Sequence, residues 1–465
     1  MAWPPAGGVC LITSWPMITD EATSLIENLK AQLAAVPGPL VLGFSGGLDS
    51  SVLFSALVRG GFRHRLIAVH VQHGLQAMAE SWAEHCRAVA AAAGVPFDVV
   101  HLELAAGPDL EQRARLARRA ALLAAATPDG ALLLAQHADD QAETLLLRLL
   151  RGAGPAGLAA MRTASRYRKR LVLRPLLPWR RPQLAALAQH WGLTWVEDPT
   201  NAEIEADRNY LRHEILPRLA QRWPAVVEVF GRNTAVQHET AQLLAELAAE
   251  DRAALGLPDG AISLSGLQRL GPARQRNLLY GWVRARGWQA PPRQVLQRVL
   301  DELICAAPDR QPRVEWPEGA FCRHRDGLYL LPHAALQPLT GAVPLLLADG
   351  AVTTLGPLTV TVRRLAAGEP AGAEQWVLPV DVSAVTVSAA PAGARIRSGG
   401  LSREVRESWR AAGVPPWLRA RWPVLLDGDE LLAAAQLGCA DGYQRAPGAP
   451  GWAVAWHFQG ADSAL

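Results

Sequence analysis

PLVLGFSGGLDSSVLFSALVRG, residues 39–60, decides the fold. A short apolar run, PLVLGFS, ends in SGGLDS (residues 45–50), and a helical pattern, SVLFSALVRG, follows at once. Strand, glycine-rich turn and helix in that order aim successive backbone N–H groups at one point, at the positive end of the helix dipole, where an anion is favoured. Gly46 and Gly47 let the chain approach a phosphate closely. This is not a Walker A loop, because GxxxxGK[ST] is absent and no lysine stands in the loop to grip β- and γ-phosphates. Taken alone, the six residues also fit a structural glycine turn.

Working outward, short apolar runs alternate with helical patterns. After the helix at about 49–59 come RLIAVHV, a helix near 81–93, FDVVHLEL, a helix through 110–125, ALLLAQH and a helix over 139–151, with Gly60, Gly61 and Gly94 as stops. RLVLRPLLP (170–178) and the helix RPQLAALAQHWG, with Pro182 early in it, continue the layer. Such alternation predicts an α/β domain with a parallel sheet between helices, whose ligands bind at the carboxyl ends of the strands. Beyond Pro217 an Ala/Leu/Glu/Arg periodicity reads as a small helical domain up to about Cys305, followed by a hairpin, VEWPEGAFCRHRDGLYLL, turning at Asp326-Gly327. PHAALQPLTGAVP reads as a linker, and the strand-rich remainder as a C-terminal α+β domain. The boundaries expected are a loose leader at 1–18, a catalytic domain at 19–216, a mainly helical domain at 217–335, a linker at 336–345 and the last domain at 346–465.

Composition agrees with several compact cores. The 465 residues allow two to four domains, and 50% hydrophobic with 19% charged residues is a globular balance. A net charge of +3 is too small for indiscriminate polyanion binding, so a nucleic-acid surface must come from local arginine clusters. Five scattered cysteines give no CxxC pair and no metal spacing, which fits a reducing cytoplasm. Neither a secretion signal nor a membrane-spanning run is expected. Most of the sixteen tryptophans are read as core residues, and none is assigned as a stacking platform.

A second constellation is AQHADDQAETLLLRLLRGAGPAGLAAM, residues 135–161. Ala142, Leu145, Leu146 and Leu149 fall at i, i+3, i+4 and i+7, the buried stripe of a helix. Asp140, Glu143, Thr144 and Arg148 lie largely off it, and His137 ends the preceding strand, so imidazole and carboxylates crowd one strand–helix junction. The plain alternatives are an acidic helix start at Asp139 and a structural histidine capping the strand.

SGGLDS matches the SGGxDS signature of the PP-loop ATP pyrophosphatases, which cleave ATP between the α- and β-phosphates. QHxDDQxET, then RG, then GPxGL resembles the tRNA(Ile)-lysidine synthase family within that superfamily. HVQHGLQ (70–76), SWAEHC (81–86), RPLL (174–177), and EDPTN followed by DRNYLR (197–212) agree. The resemblance is dense over residues 40–216 and thinner at GVPPWLR (413–419). One block departs: LEQRARLARRAAL (110–122) keeps Glu111, Arg115 and Arg118 but has Arg119 where an aromatic residue is usual.

The resemblance implies an adenine nucleotide alpha hydrolase-like fold and a cytoplasmic ligase. Its reaction has two steps: a wobble cytosine O2 attacks the α-phosphate of ATP, and the side-chain amine of lysine then displaces AMP from C2. It implies ATP held by Ser45, Gly46, Gly47, Leu48, Asp49 and Ser50, with Asp49 also placing Mg²⁺. Arg208, with Arg212, would supply cationic donors, although Arg208 also suits an ion pair with Asp198 or Asp207. His137 and then Glu143 are the candidates to take the lysine proton, while Asp140 or Glu143 would orient the ammonium. The partners implied are free L-lysine and tRNA(Ile) with a CAU anticodon, and a homodimer is left open. For tRNA, LSREVRESWRAAG predicts a helix with Val405, Trp409 and Ala412 inward and Arg403, Arg406 and Arg410 as a cationic front, flanked by Arg395, Arg397, Arg419 and Arg421. A solvated face neutralised by Glu404 and Glu407 is the alternative. Arg113, Arg115, Arg118 and Arg119 make a second basic helix facing RNA or nucleotide. Two other functions fit the superfamily: a 2-thiocytidine-forming RNA thiolase, which commonly needs the cysteine pairs missing here, and a catalytically inert tRNA-binding protein.

Overall fold

The computed structural model describes residues 15–72, 79–103, 110–167, 169–197, 207–307, 310, 312–372, 375–382 and 385–458. Outside them lie most of the expected leader (1–14), part of HVQHGLQ (73–76), and 198–201 of EDPTN with Asp198; the side chain of Glu111 is likewise not described. The chain divides into two compact units, residues 1–243 and 244–465.

The first unit holds a six-stranded sheet in the order β3-β2-β1-β4-β6-β5. Its strands are β1 (Leu40–Gly43), β2 (Leu66–Gln72), β3 (Phe97–His101), β4 (Ala131–Leu133), β5 (Ala164–Tyr167) and β6 (Arg170–Leu173). All pairs are parallel except the β5–β6 edge. The period of two sorts each strand between two cores. Leu40, Leu42, Ala131 and Leu133 face one side, and Val41, Leu132 and Val172 the other. Helix α1 (Trp15–Leu33) was not read from the sequence and begins inside the expected leader, whereas α2 (Leu48–Arg59), α3 (Ala79–Ala92) and α4 (Leu110–Ala125) follow the sequence reading closely. So do α5 (Ala138–Leu150) and, after a short α6 (Pro155–Leu158) that was not anticipated, α7 (Arg181–His190). DRNYLR forms α8 (Asp207–Tyr210) running into a π-helical turn, Leu211–Ile215. Then come α9 (Leu216–Arg222) and the long α10 (Val226–Leu255).

Sheet order fixes the site. From β1 the chain steps to β2 on one side, while β4 lies on the other, so the crevice at the carboxyl ends of β1 and β4 is a topological switch point. Both SGGLDS and QHADD sit there.

In the second unit, helices Pro272–Ala285 and Arg293–Arg298 pack on a four-stranded sheet that includes Gly319–His324 and Gly327–Leu331. The hairpin turns at Arg325-Asp326, one residue before the expected position, because Arg325 takes the left-handed conformation (φ 53°) and Gly327 already pairs with His324. The remainder is richer in strand than in helix. A five-stranded and a four-stranded sheet share one core, with short helices at Val405–Ala411 and Pro416–Arg419. No helix among the described residues is long and apolar enough to cross a membrane.

Candidate active site

Gly46 is the residue that shapes the loop. Its φ of 80° disfavours any side chain, and a Cβ would come within 2.8 Å of the buried Cys86 Sγ. Its carbonyl accepts from Val196 N–H (2.9 Å) and from Ser51 Oγ (3.4 Å). Ser50 Oγ donates to Gly47 O (2.9 Å) and lies 3.0 Å from Ser45 Oγ. Gly47 is the N-cap of α2 and gives no side-chain cap, so the first N–H groups of the helix stay open to an anion. Leu48 is buried and anchors the turn in the core.

His137 is the N-cap of α5 and is 1% exposed. It caps the helix rather than the strand: its backbone N–H donates to Asp140 Oδ2 (3.1 Å), and Asp140 N–H lies 3.4 Å from Nδ1. Around the ring stand three carboxylates, with Nε2 3.6 Å from Asp49 and 3.5 Å from Asp140, and Nδ1 3.6 Å from Asp139. Burial opposes protonation, yet Asp139, Asp49 and Asp140 outweigh it and hold the ring at about 10. A doubly protonated ring cannot also accept from Asp140 N–H; three carboxylates prevail over one long hydrogen bond. Asp139 accepts from Arg181 N–H (2.8 Å) and Arg180 Nε (3.1 Å). Burial raises its pKa, but His137, Arg181 and Arg180 hold the carboxyl well below its usual range. Arg180 also reaches Glu228 on α10 (2.7 Å).

Glu143 is fully buried and held by two guanidiniums. Arg208 Nε donates to Oε2 (2.5 Å), and Arg212 donates from Nε to Oε1 (2.6 Å) and from Nη2 to Oε2 (3.2 Å). Both also reach Asp140 Oδ1, at 2.8 and 3.3 Å. Positions i and i+4 of one helical run bring the two arginines to the same face. Arg208 therefore pairs with Asp140 and Glu143 rather than with Asp207, which meets Arg151 instead. The structure thus gathers Asp49, His137, Asp140, Glu143, Arg208 and Arg212 into one cluster against the loop. Among the described residues no three His, Cys, Asp or Glu side chains form a metal cage. Asp49 Oδ1 is buried with no hydrogen-bond partner among them.

Several expectations change. The buried stripe of α5 stops early: Ala142 and Leu145 are buried, but Leu149, next to the helix end, is 56% exposed. Gln141 is buried instead, bonded to Met161 and Thr234. Arg148 is structural, donating to Gly157 O and Ala160 O, and Arg174 of RPLL bonds Gln136 and Arg162 O. Arg119 stacks on Tyr167 at 4.5 Å. The cationic front of the C-terminal unit is not one helix. Arg403 lies on a strand, because Gly399 and Gly400 both take positive φ and turn Arg395–Ser398 back onto Leu401–Glu404, and the helix begins only at Val405. Val405 and Trp409 are buried as expected, whereas Ala412 is exposed. Arg395 is spent on Ser402 and Arg406 on Ala390 O, while Arg397, Arg403 and Arg410 are exposed. Arg419 is partly buried, Arg421 is buried, and neither Glu404 nor Glu407 makes an ion pair among the described residues. Asp139 was passed over as a helix start and Arg180 was not singled out; an arginine just ahead of Arg181-Pro182, at a helix start, was the available signal for the latter.

Family comparisons match three domains: a PP-loop domain over residues 19–219, a TilS substrate binding domain over 262–329 and a TilS substrate C-terminal domain over 385–456. A tRNA(Ile)-lysidine synthase of Alkalilimnicola ehrlichii is 41% identical over 443 residues, 91% of this chain and 95% of the relative. That of Methylococcus capsulatus is 39% identical over 434 residues, 90% and 93% of the two chains. Among solved structures, the U34-tRNA thiolase NcsA of Methanococcus maripaludis is 18% identical, covering 48% of this chain and 81% of its own, with a TM-score of 0.42.

Proposed function

The chain belongs to the tRNA(Ile)-lysidine synthase family, and from that premise we propose that it joins L-lysine to C2 of the wobble cytidine of a CAU-anticodon tRNA(Ile) through an adenylated cytidine. The observation that carries this reading is the 3.6 Å approach of loop residue Asp49 to His137, which makes the open helix N-terminus and the Arg208–Arg212–carboxylate cluster one site. Phosphate chemistry and an ammonium group can therefore meet there.

In the first step cytosine O2 bonds to the α-phosphorus of ATP and pyrophosphate leaves. Charge gathers on phosphate oxygens, so the step calls for fixed donors rather than a nucleophilic side chain. The N–H groups opening α2, the hydroxyls of Ser45 and Ser50, and Arg208 with Arg212 fill that role. Asp49, with its unpartnered Oδ1, suits a Mg²⁺ held otherwise by phosphate oxygens and water, and such an ion would neutralise the triphosphate.

In the second step the lysine Nε bonds to C2, and the C2–O bond breaks to release AMP. At pH 7 the amine is neutral only about once in 2,500, a deficit of about 4.6 kcal/mol from a pKa near 10.4. Asp140 and Glu143 hold the incoming ammonium, exchanging it for the guanidiniums that move to phosphate. Because three carboxylates keep His137 protonated, the proton passes to the Asp140–Glu143 pair, and His137 holds Asp49 and Asp139 in place. Arg397, Arg403 and Arg410 offer phosphate contacts to the tRNA.

Incubation with ATP, Mg²⁺, labelled lysine and a tRNA(Ile) transcript tests the reading. Label is expected in the CAU transcript and not in elongator tRNA(Met); label in neither, or equally in both, would refute it.

A further inference from the structure

We propose that residues 413–421 form a joint that sets the spacing of the two substrate-binding family domains in the C-terminal unit, with Trp417 as a positioning residue for tRNA. The proposal rests on tRNA being the substrate. GVPPWLR is a block of the family resemblance that lies outside the phosphate-loop site, and its Val414 and Trp417 are buried. Trp417 is 7% exposed although it sits in a helix of only four residues, Pro416–Arg419. Its ring meets Tyr329 edge-on at 5.0 Å and His324 at 6.1 Å, both on the hairpin of the preceding domain. Tyr329 is fixed beneath it by donating to Asp259 (2.5 Å).

Polar contacts lock the same boundary. His324 Nε2 donates to Gly413 O (2.8 Å), and Leu339 N–H donates to Ala420 O (2.9 Å). Gly413 has φ 80°, and the Arg325 guanidinium occupies the place that a Cβ there would take, so the Arg325 side chain lies directly against this turn. Arg421, 4% exposed, lies 4.0 Å over Phe458 in the last domain and donates to Ala335 O (3.4 Å) in the earlier one. Arg421 is thus buried and Arg419 partly buried, whereas Arg397, Arg403 and Arg410 are exposed.

Two domains that grip one RNA gain from a fixed spacing, because once the first is bound the second binds at a high effective concentration. Loosening the joint weakens tRNA binding without touching the chemistry. The test compares wild type, Trp417→Ala and Trp417→Phe as full chains, measuring Kd for the tRNA(Ile) transcript by filter binding, and KM and kcat for lysine transfer. For Trp417→Ala, Kd and KM for tRNA are expected to rise about tenfold, a partial loss of the roughly 10²–10⁴-fold gain that linking two binding sites gives. Its kcat and KM for ATP should stay within about twofold, and Trp417→Phe should recover most of the loss. Unchanged Kd and KM, or a fall in kcat at constant KM, would overturn the joint. If Trp417→Ala does not fold, His324→Leu, which removes the bond to Gly413 and alters the edge contact with Trp417, is judged by the same criteria with an expected rise of about threefold. Wild type that binds tRNA but transfers no lysine refutes the proposed function alone, and Kd still decides the joint.

Discussion

Replacing Glu143 by alanine leaves two guanidiniums without the carboxylate that holds them. Glu143 is fully buried and accepts three charge-assisted hydrogen bonds, at 2.5, 2.6 and 3.2 Å, from Arg208 and Arg212. Removing one partner of a buried ion pair costs about 3–5 kcal/mol. Arg208 and Arg212 keep 28% and 23% of their side-chain surface in water, and each retains Asp140, so the low end, about 3 kcal/mol, applies. At ~2–4 °C per kcal/mol for a unit of this size, Tm falls by about 6–12 °C. Glu143→Gln keeps one neutral acceptor but turns an amide donor toward a guanidinium, and about half that loss is expected. A chain of two units does not unfold as one, so the transition to follow is the one that ATP shifts upward. A Glu143→Ala protein within about 1 °C of wild type in that transition would refute the buried clamp.

Other consequences follow from the same cluster. Asp49→Asn is expected to lower lysine transfer about 10²–10³-fold, the range seen when one preorganised electrostatic group is removed, with the CD spectrum unchanged; undiminished turnover at saturating Mg²⁺ would contradict its place at the triphosphate. His137 has a folded pKa raised from 6.5 to about 10, so its contribution is complete below about pH 6.5 and is lost as pH rises through 10. The unfolding free energy of the ATP-sensitive transition, from denaturant titration, should therefore fall more between pH 7 and 10 in wild type than in His137→Gln, by up to about 4 kcal/mol; parallel curves would show that the ring is neutral. Gly46→Ala is expected to abolish ATP protection against heat, since φ 80° and Cys86 Sγ both exclude a methyl group; retained protection would mean the loop is not the phosphate site.

The parallel sheet and the phosphate loop were legible because both are local: a period of two in PLVLGFS, glycines at the turn, a helical period after it. The clamp was legible only as a list of residues. Nothing within DRNYLR says that Arg208 and Arg212 close on Glu143, some 65–69 positions earlier, or that this pairing lets a carboxylate be fully buried on a helix face that reads as polar. Leu149 was misread because an i+7 position beside the last helical residue extends past the core. Arg403 was misread because positions 403, 406 and 410 fit a helical face equally well whether or not the helix has begun, and the Gly399-Gly400 hairpin that delays its start is set by positive φ at both residues. GVPPWLR was legible only as a block of the family resemblance, and the burial of its Trp417 depends on a hairpin about 90 residues earlier.

Adenylation of the cytosine oxygen is tested most directly by following that oxygen. A tRNA(Ile) transcript carrying ¹⁸O at O2 of the wobble cytidine, incubated with the protein, ATP, Mg²⁺ and lysine, should yield AMP containing one ¹⁸O for each lysine joined. Lysine incorporation with unlabelled AMP, the ¹⁸O leaving as water or staying on the RNA, would contradict an adenylated cytidine at this site.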